Sequence, residues 1–377
     1  MLDELLKRPE AEQREAGYYY TLREIRQQPA AWVDAGTRAA PLREAAGDAR
    51  SIVLTGSGSS LYAGECLAPV LQAELGVTVQ AVGGGQLLTH GADAAPPLRP
   101  MLMVSLARSG DSPESCAAVD LFLEREPECR HLAITCNPRG RLATSYGGDP
   151  RFRALVLDER VNDRSLVMTS SFTSMVVAGR ALGAEGYAAR VARLSAAAES
   201  ILSGSAEALA EAGGRPFRRA VYLGSGARFG AAREAGLKVM EMTAGGTVSI
   251  PETFLGLRHG PMSAVHPDTM VVAYLSSAEP VRSYELDLIE ELGRKRLGAF
   301  KVIAGVNVPP DLLGPGDVAV AYPEGVPDGD APVLDVLVGQ LLAFFHCRAA
   351  GLKPDAPSES GVITRVVGSF RIHGGRR

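Results

Sequence analysis

From Ser51 onward, short apolar runs recur without the polar alternation of a half-exposed strand: SIVLTG, VTVQAVGG, PMLMVSLA, HLAITCN and RALVLDE, each followed by a longer stretch of helical character. Continuous apolar strands joined by helical crossovers predict a parallel sheet covered on both faces. The rhythm restarts at RRAVYLGSG and runs on through TMVVAYLSS, FKVIAGV and DVAVAYP. Ahead of the first strand, residues 1–37 have amphipathic helical spacing broken at Pro29, which predicts a helical extension packed on the first domain or on a partner subunit.

Two stretches resemble each other. VLTGSGSSLYAGE at Val53–Glu65 and VYLGSGARFGAARE at Val221–Glu234 both read strand, Gly-Ser-Gly, then a helix start of small residues, and Gly56 and Gly224 stand 168 positions apart. That spacing is about one domain length. The chain therefore reads as a tandem duplication jointed near Leu202–Gly214: a helical segment at 1–37, a first doubly wound α/β domain at 38–205 and a second at 206–377. A Gly-Ser-Gly turn alone needs no ligand, since glycines let a helix pack tightly on a sheet; the carboxyl ends of parallel strands are also where such folds bind ligands.

Composition narrows the function. At 377 residues, 46% apolar, 22% charged and a net charge of -4, the chain is an ordinary globular protein with no global basic field for nucleic acid or a membrane surface. An anionic ligand would need a local site. Cys66, Cys116, Cys129, Cys136 and Cys347 show no CxxC spacing and predict buried, reduced thiols in a cytoplasmic protein, without a zinc site or disulfide framework. No leader-like apolar segment and no run of about 18 apolar residues stands out, so neither a signal peptide nor a membrane span is expected.

The candidate chemistry begins at SLARSGDSPES, Ser105–Ser115. The simplest local reading is a strand ending near Ala107, a turn, and a helix with Ser112 at the N-cap and Pro113 at the first position. Arg108 is left over by that reading. Helix N-terminal amides with the Ser109 and Ser112 hydroxyls and a guanidinium would form a phosphate cradle. Further hydroxyl-rich turns lie at Ser57–Ser60 and Thr169–Ser174, although serine-rich turns are often only turns. No GxxxxGK[ST] motif is present, which argues against a P-loop triphosphate site.

Glu234, Lys238 and Glu241 fall on one helical face at i, i+4 and i+7. Such a face is usually a solvated ion pair, but the neighbouring Ala235, Leu237, Val239, Met240 and Met242 predict a largely buried helix, where carboxylates need a partner or a role. His259 sits in the Gly- and Pro-bounded stretch RHGP. A phosphate cradle, a buried carboxylate and a loop histidine are parts for proton transfer beside a sugar carbonyl, chemistry that needs no metal or prosthetic group.

At these residues the chain resembles the sugar isomerase (SIS) family, and within it the tandem-SIS, AgaS-type ketose/aldose isomerases and amino-sugar-phosphate deaminases. The motifs that carry the likeness are TLREIRQQPAAW, LTGSGSS, SLARSGDSPES, ITCN, MTSS, LGSG, AAREAGLKVMEMTAG, GLRHGP and PSESGVITRVVGSFRIH. The resemblance implies two flavodoxin-like domains in tandem and a site between them completed across a homodimer or a dimer of dimers. It implies phosphate binding by Ser60, Arg108, Ser109, Ser112 and Ser115, proton transfer between C1 and C2 by Glu241, and ring opening by His259, whose loop can come from the neighbouring subunit. Glu234 and Lys238 join the catalytic group, with Ser57, Ser170, Ser171 and Arg365 near the sugar. The loop VSIPETFLGLRHGPM departs from the AgaS pattern, with Met262 where a lysine is usual. The function implied is deamination of a hexosamine 6-phosphate, of the galactosamine type, to a ketohexose 6-phosphate and ammonia. Plain aldose/ketose isomerisation, deglycation of a fructosamine phosphate and non-catalytic sensing of a sugar phosphate are the alternatives.

Overall fold

All nine apolar runs form strands in the computed structural model, which describes residues 1–184, 186–368 and 370–373. Ser369, inside the C-terminal motif, and residues 374–377 lie outside the described residues. β1 (Ser51–Gly56), β2 (Thr78–Gly83), β3 (Met101–Ala107), β4 (Cys129–Thr135) and β5 (Phe152–Val156) make a parallel sheet in the order β2-β1-β3-β4-β5. β6 (Arg219–Leu223), β7 (Val248–Glu252), β8 (Thr269–Leu275), β9 (Phe300–Val306) and β10 (Val318–Tyr322) make a second, ordered β10-β9-β8-β6-β7. Read from its β7 edge, the second sheet repeats the order of the first, the doubly wound flavodoxin-like arrangement.

The central strands β1, β3 and β8 are buried along their whole length, which is why their sequences lack alternation. β7 is the strand that the apolar pattern does not announce. Its sequence VSIPE carries Pro251, opposite Tyr222 in the register with β6. Proline donates no ladder hydrogen bond and is tolerated here because β7 is an edge.

The chain divides into two units that are discontinuous in sequence. One holds the first sheet: Ala30–Asp163, Ser170–Val191 and the described residues of Gly361–Arg377. The other holds the second: Met1–Pro29, Arg164–Thr169 and Ala192–Ser360. The contiguous division at 38–205 and 206–377 thus describes the repeat in sequence and differs from these spatial groupings. The N-terminal extension also differs from expectation. Its helix α1 (Tyr19–Arg26) belongs with the second sheet, where Asp355 accepts hydrogen bonds from Tyr20 N at 3.1 Å, Thr21 N at 2.7 Å and Thr21 Oγ1 at 2.8 Å. That carboxylate, distant in sequence, satisfies the first-turn amides of α1. Pro29 lies in the first turn of the next helix, α2 (Gln28–Ala39), where its missing N–H costs nothing. Trp32 on α2 donates its indole N–H to Thr173 Oγ1 at 2.9 Å within the first-sheet unit.

Helices α3 (Ser59–Leu75), α4 (Pro113–Arg125) and α5 (Ser170–Arg180) flank the first sheet, and α6 (Ala227–Met242) and α7 (Pro332–Ala349) the second. α7 is apolar and long enough, by length and composition, to cross a membrane, yet it is a core helix here. Its polar members are hydrogen-bonded inside its unit: Gln340 to Gln28 at 2.8 Å and His346 to Thr247 at 3.0 Å. All five cysteines are free and buried, and burial pushes Cys116 up to about 11 and Cys129 and Cys347 up to about 12, far from thiolate reactivity.

In the core of the first sheet, His131 on β4 stacks on Phe152, and neither ring nitrogen has a hydrogen-bond partner among the described residues. Burial lowers it from the ordinary 6.5 to about 4. The unfolded chain therefore binds the extra proton between those values, and stability rises with pH across that window and is level above it. His131→Leu should bring the urea midpoints at about pH 5 and about pH 7 closer together than in the parent. Equal gaps in the two proteins would mean that the buried ring is not held neutral.

Candidate active site

The two strand-to-helix turns share one geometry. Gly58 has φ 56 and ψ -127, and Gly226 has φ 56 and ψ -126, a conformation that β-carbons disfavour. A Cβ on Gly56 would sit 2.5 Å from Ser60 Cβ, and one on Gly224 would sit 2.3 Å from Arg228 O. The glycines therefore seat α3 against the end of β1 and α6 against the end of β6.

In the first-sheet unit this geometry gathers serines. Ser57 and Ser60 follow β1, and Arg108, Ser109, Ser112 and Ser115 follow its neighbour β3. A Cβ on Gly84, just past β2, would lie 3.5 Å from Ser57 Oγ and 3.6 Å from Ser115 Oγ, so the two hydroxyls converge over a glycine left bare. Ser60, Arg108, Ser109 and Ser115 are buried. Ser112 holds the N-cap position of α4, but its hydroxyl makes no capping hydrogen bond among the described residues. This corrects the capping expectation, and it leaves the first-turn amides for another acceptor. Asp111 is turned to other work, accepting from Arg141 N at 2.9 Å. Glu114, whose negative charge counts against a phosphate in the sequence, has its Oε2 buried without a hydrogen-bond partner among the described residues beside this group.

Three residues expected near the sugar have partners within the protein. Ser170 and Ser171 both donate their hydroxyls to the Asp163 carboxylate, each at 2.5 Å, and Ser171 N donates to it at 2.8 Å. Asp163 thereby satisfies the start of the buried helix α5, a role that only the fold reveals. Arg365 commits its guanidinium to Asp163 O at 2.6 Å and Asn162 Oδ1 at 2.6 Å. Its backbone carbonyl accepts a hydrogen bond from Arg108 Nη2, so the C-terminal segment meets the cradle through main chain.

In the second-sheet unit, α6 is squeezed from two sides by small residues. A Cβ on Gly339 of α7 would lie 2.4 Å from Ala235 Cβ, and one on Gly236 would lie 3.1 Å from Ser249 Oγ on β7. The face carrying Glu234, Lys238 and Glu241 is driven inward as a result. Lys238 Nζ sits 3.2 Å from Glu234 Oε1 and 2.5 Å from Glu241 Oε2; Lys238 and Glu234 are 0% exposed and Glu241 is 23% exposed. Burial pulls Lys238 down, but the charges and hydrogen bonds of the two carboxylates outweigh it and hold the ammonium above its ordinary value. The cluster is an ion triad, buried at Glu234 and Lys238 and partly exposed at Glu241. His259 lies on an exposed turn after Phe254–Leu257, and among the described residues its ring makes no hydrogen bond or ion pair that would tie it to the cluster. Arg258, beside it, anchors that turn to Glu291 at 2.7 Å.

Two doubly wound sheets of one order, each entered through a Gly-Ser-Gly turn, define the class of tandem sugar-isomerase proteins. Residues 47–184 match the SIS domain. The chain is 36% identical over 370 residues to the D-galactosamine-6-phosphate deaminase AgaS of Escherichia coli, covering 94% of this chain and 95% of that protein. It is 33% identical over 368 residues to the D-galactosamine-6-phosphate deaminase AgaS of a Shewanella species, covering 95% and 92%. The solved tagatose-6-phosphate ketose/aldose isomerase of Escherichia coli superposes with a TM-score of 0.84 at 32% identity, covering 95% of this chain and 97% of that one. The chain belongs to the SIS family, as an enzyme of the sugar-phosphate isomerase and deaminase type.

Removing the cation at the centre of the triad should leave the fully buried Glu234 carboxylate uncompensated, with that of Glu241 nearby. Because folding raises Lys238, its contribution is fully present below 10.5 and is lost only as pH rises beyond that. Lys238→Met should cost about 3–5 kcal/mol in urea unfolding at neutral pH, and adding Glu234→Gln should recover part of the loss. A cost under about 1 kcal/mol would mean that the triad is not charged as drawn.

Proposed function

We propose that the enzyme is a hexosamine 6-phosphate deaminase of the galactosamine type, working as a cytoplasmic homodimer on a phosphorylated amino sugar. The observation that carries the reading is the Lys238–Glu241 pair: a partly exposed carboxylate backed by a fully buried ammonium and a second carboxylate. Glu241 takes the C2 proton of the open-chain sugar and returns it at C1. The aldehyde oxygen takes up the proton that the C2 ammonium gives up, leaving an alcohol at C1 and an imine at C2, and water hydrolyses the imine to the ketone and ammonia. Lys238 pairs with the carboxylate and fixes its rotamer, and Glu234 balances Lys238.

Ring opening is assigned to His259, whose exposed turn suits a part shared with a neighbouring subunit. Phosphate binding is assigned to Arg108 with Ser60, Ser109, Ser112 and Ser115, and Ser57 to the sugar beside it. The amides at the start of α4 and the bare backbone at Gly84 support that assignment. Glu114 Oε2, buried without a partner, would be satisfied by a hydroxyl or ammonium of the sugar.

Two measurements test the reading. Glu241→Gln should lower kcat for ammonia release from galactosamine 6-phosphate by about a hundredfold or more while the chain stays folded; near-parental release would remove Glu241 from the chemistry. Arg108→Ala should raise KM for the phosphorylated sugar by about tenfold or more and leave weak binding of the free sugar unchanged. Equal losses for both sugars would return SLARSGDSPES to being a turn.

A further inference from the structure

The turn after β8 stands in the second repeat where the Arg108 turn stands in the first. β3 ends at Ala107 and β8 at Leu275, and the helices that follow start at Pro113 and Val281, both pairs 168 positions apart. Ser57, Ser60, Arg108 and Ser109 thus correspond to Ser225, Arg228, Ser276 and Ser277.

The second turn keeps the donors of an anion cradle, and its own side chains use them. Ser276 donates to the Glu285 carboxylate from its N at 2.6 Å and its Oγ at 2.9 Å, and the Ser225 hydroxyl bonds the same carboxylate. Ser277 N donates to both oxygens of Asp328 at 2.8 and 3.0 Å, and Ala278 N donates at 3.1 Å. Arg228 stands 3.5 Å from Asp328, while its other nitrogens hold the buried Asp335 at 2.8 and 2.6 Å. Glu285 is buried, and Asp328, 27% exposed, forms the rim. Two carboxylates on backbone amides, serine hydroxyls and a guanidinium reproduce the charge and acceptor set of a bound phosphate dianion. At the position of Glu285 the first repeat has Ala117.

We propose that Glu285 and Asp328 fill a second phosphate-type cradle from within, so that the chain takes one phosphorylated ligand and Glu285 decides which repeat stays open. The inference goes beyond the role given to Arg108 and can fail or stand without it. The test uses the full chain with Arg108→Ala as background and inorganic phosphate as the probe, followed by phosphorus NMR or calorimetry. Adding Glu285→Ala, the residue type of the first repeat, should tighten phosphate binding by about tenfold or more over Arg108→Ala alone, with one phosphate gained per chain. A folded double variant without that gain overturns the proposal, as does a parent chain that binds two phosphates. If Glu285→Ala prevents folding, Asp328→Ala at the exposed rim replaces it in the same background. The same gain is then expected, and its absence overturns the proposal equally.

Discussion

At Gly56 and Gly224 the backbone of a helix passes so close behind the end of a strand that no side chain fits between them. The placing of the strand-end serines depends on that approach. It brings the first turn of α3 onto the edge where β3 also ends, so that serines distant in sequence meet over Gly84. In the second repeat the same approach sets the pitch of α6, which Gly236 and Gly339 then allow to sink between β7 and α7. Helix–sheet and helix–helix contacts this tight hold side chains in single orientations, as a catalytic carboxylate requires.

Sinking α6 makes charge the next constraint. A lysine with no exposed surface is unfavourable unless its neighbours compensate, and Lys238 is compensated by two carboxylates on its own helix. Arg228, in the first turn of the same helix, is balanced in the same way by Asp335 of α7, whose carboxylate also accepts from Tyr322 at 2.9 Å. The two networks differ in one respect that bears on function. Arg228 and Asp335 are closed off from water, whereas the Lys238 triad reaches the surface at Glu241.

The repeats share strand order, turn conformation and spacing, and they diverge through a few side chains. Ser60 faces Arg228 in the alignment, and Ala117 faces Glu285. The turn after β8 gives its donors to Glu285 and Asp328 of the chain itself, and the first repeat has Ala117 at the position of Glu285. A fold supplies edges, and function is decided by what is hung on them.

Much of this was legible in the sequence. Nine strands, the strand-turn-helix reading of SLARSGDSPES and the single face of Glu234, Lys238 and Glu241 follow from local periodicity, which acts over a few residues and needs no partner. β7 escaped because Pro251 spoils the pattern and only its edge position makes it a strand. The allegiance of residues 1–29 to the second sheet, the capture of Ser170 and Ser171 by Asp163, and the commitment of Arg365 to Asn162 and Asp163 are long-range choices. A hydroxyl-rich turn reads alike whether its hydroxyls face a ligand or a buried carboxylate, because which acceptor lies within 3 Å or so is set by packing. By itself the sequence determined the doubly wound class, the duplication and the spacing of the charged face. Only the tertiary structure decided which charges are buried and which acceptors the hydroxyls and guanidiniums meet, because desolvation and pairing depend on neighbours that the chain brings together from far apart.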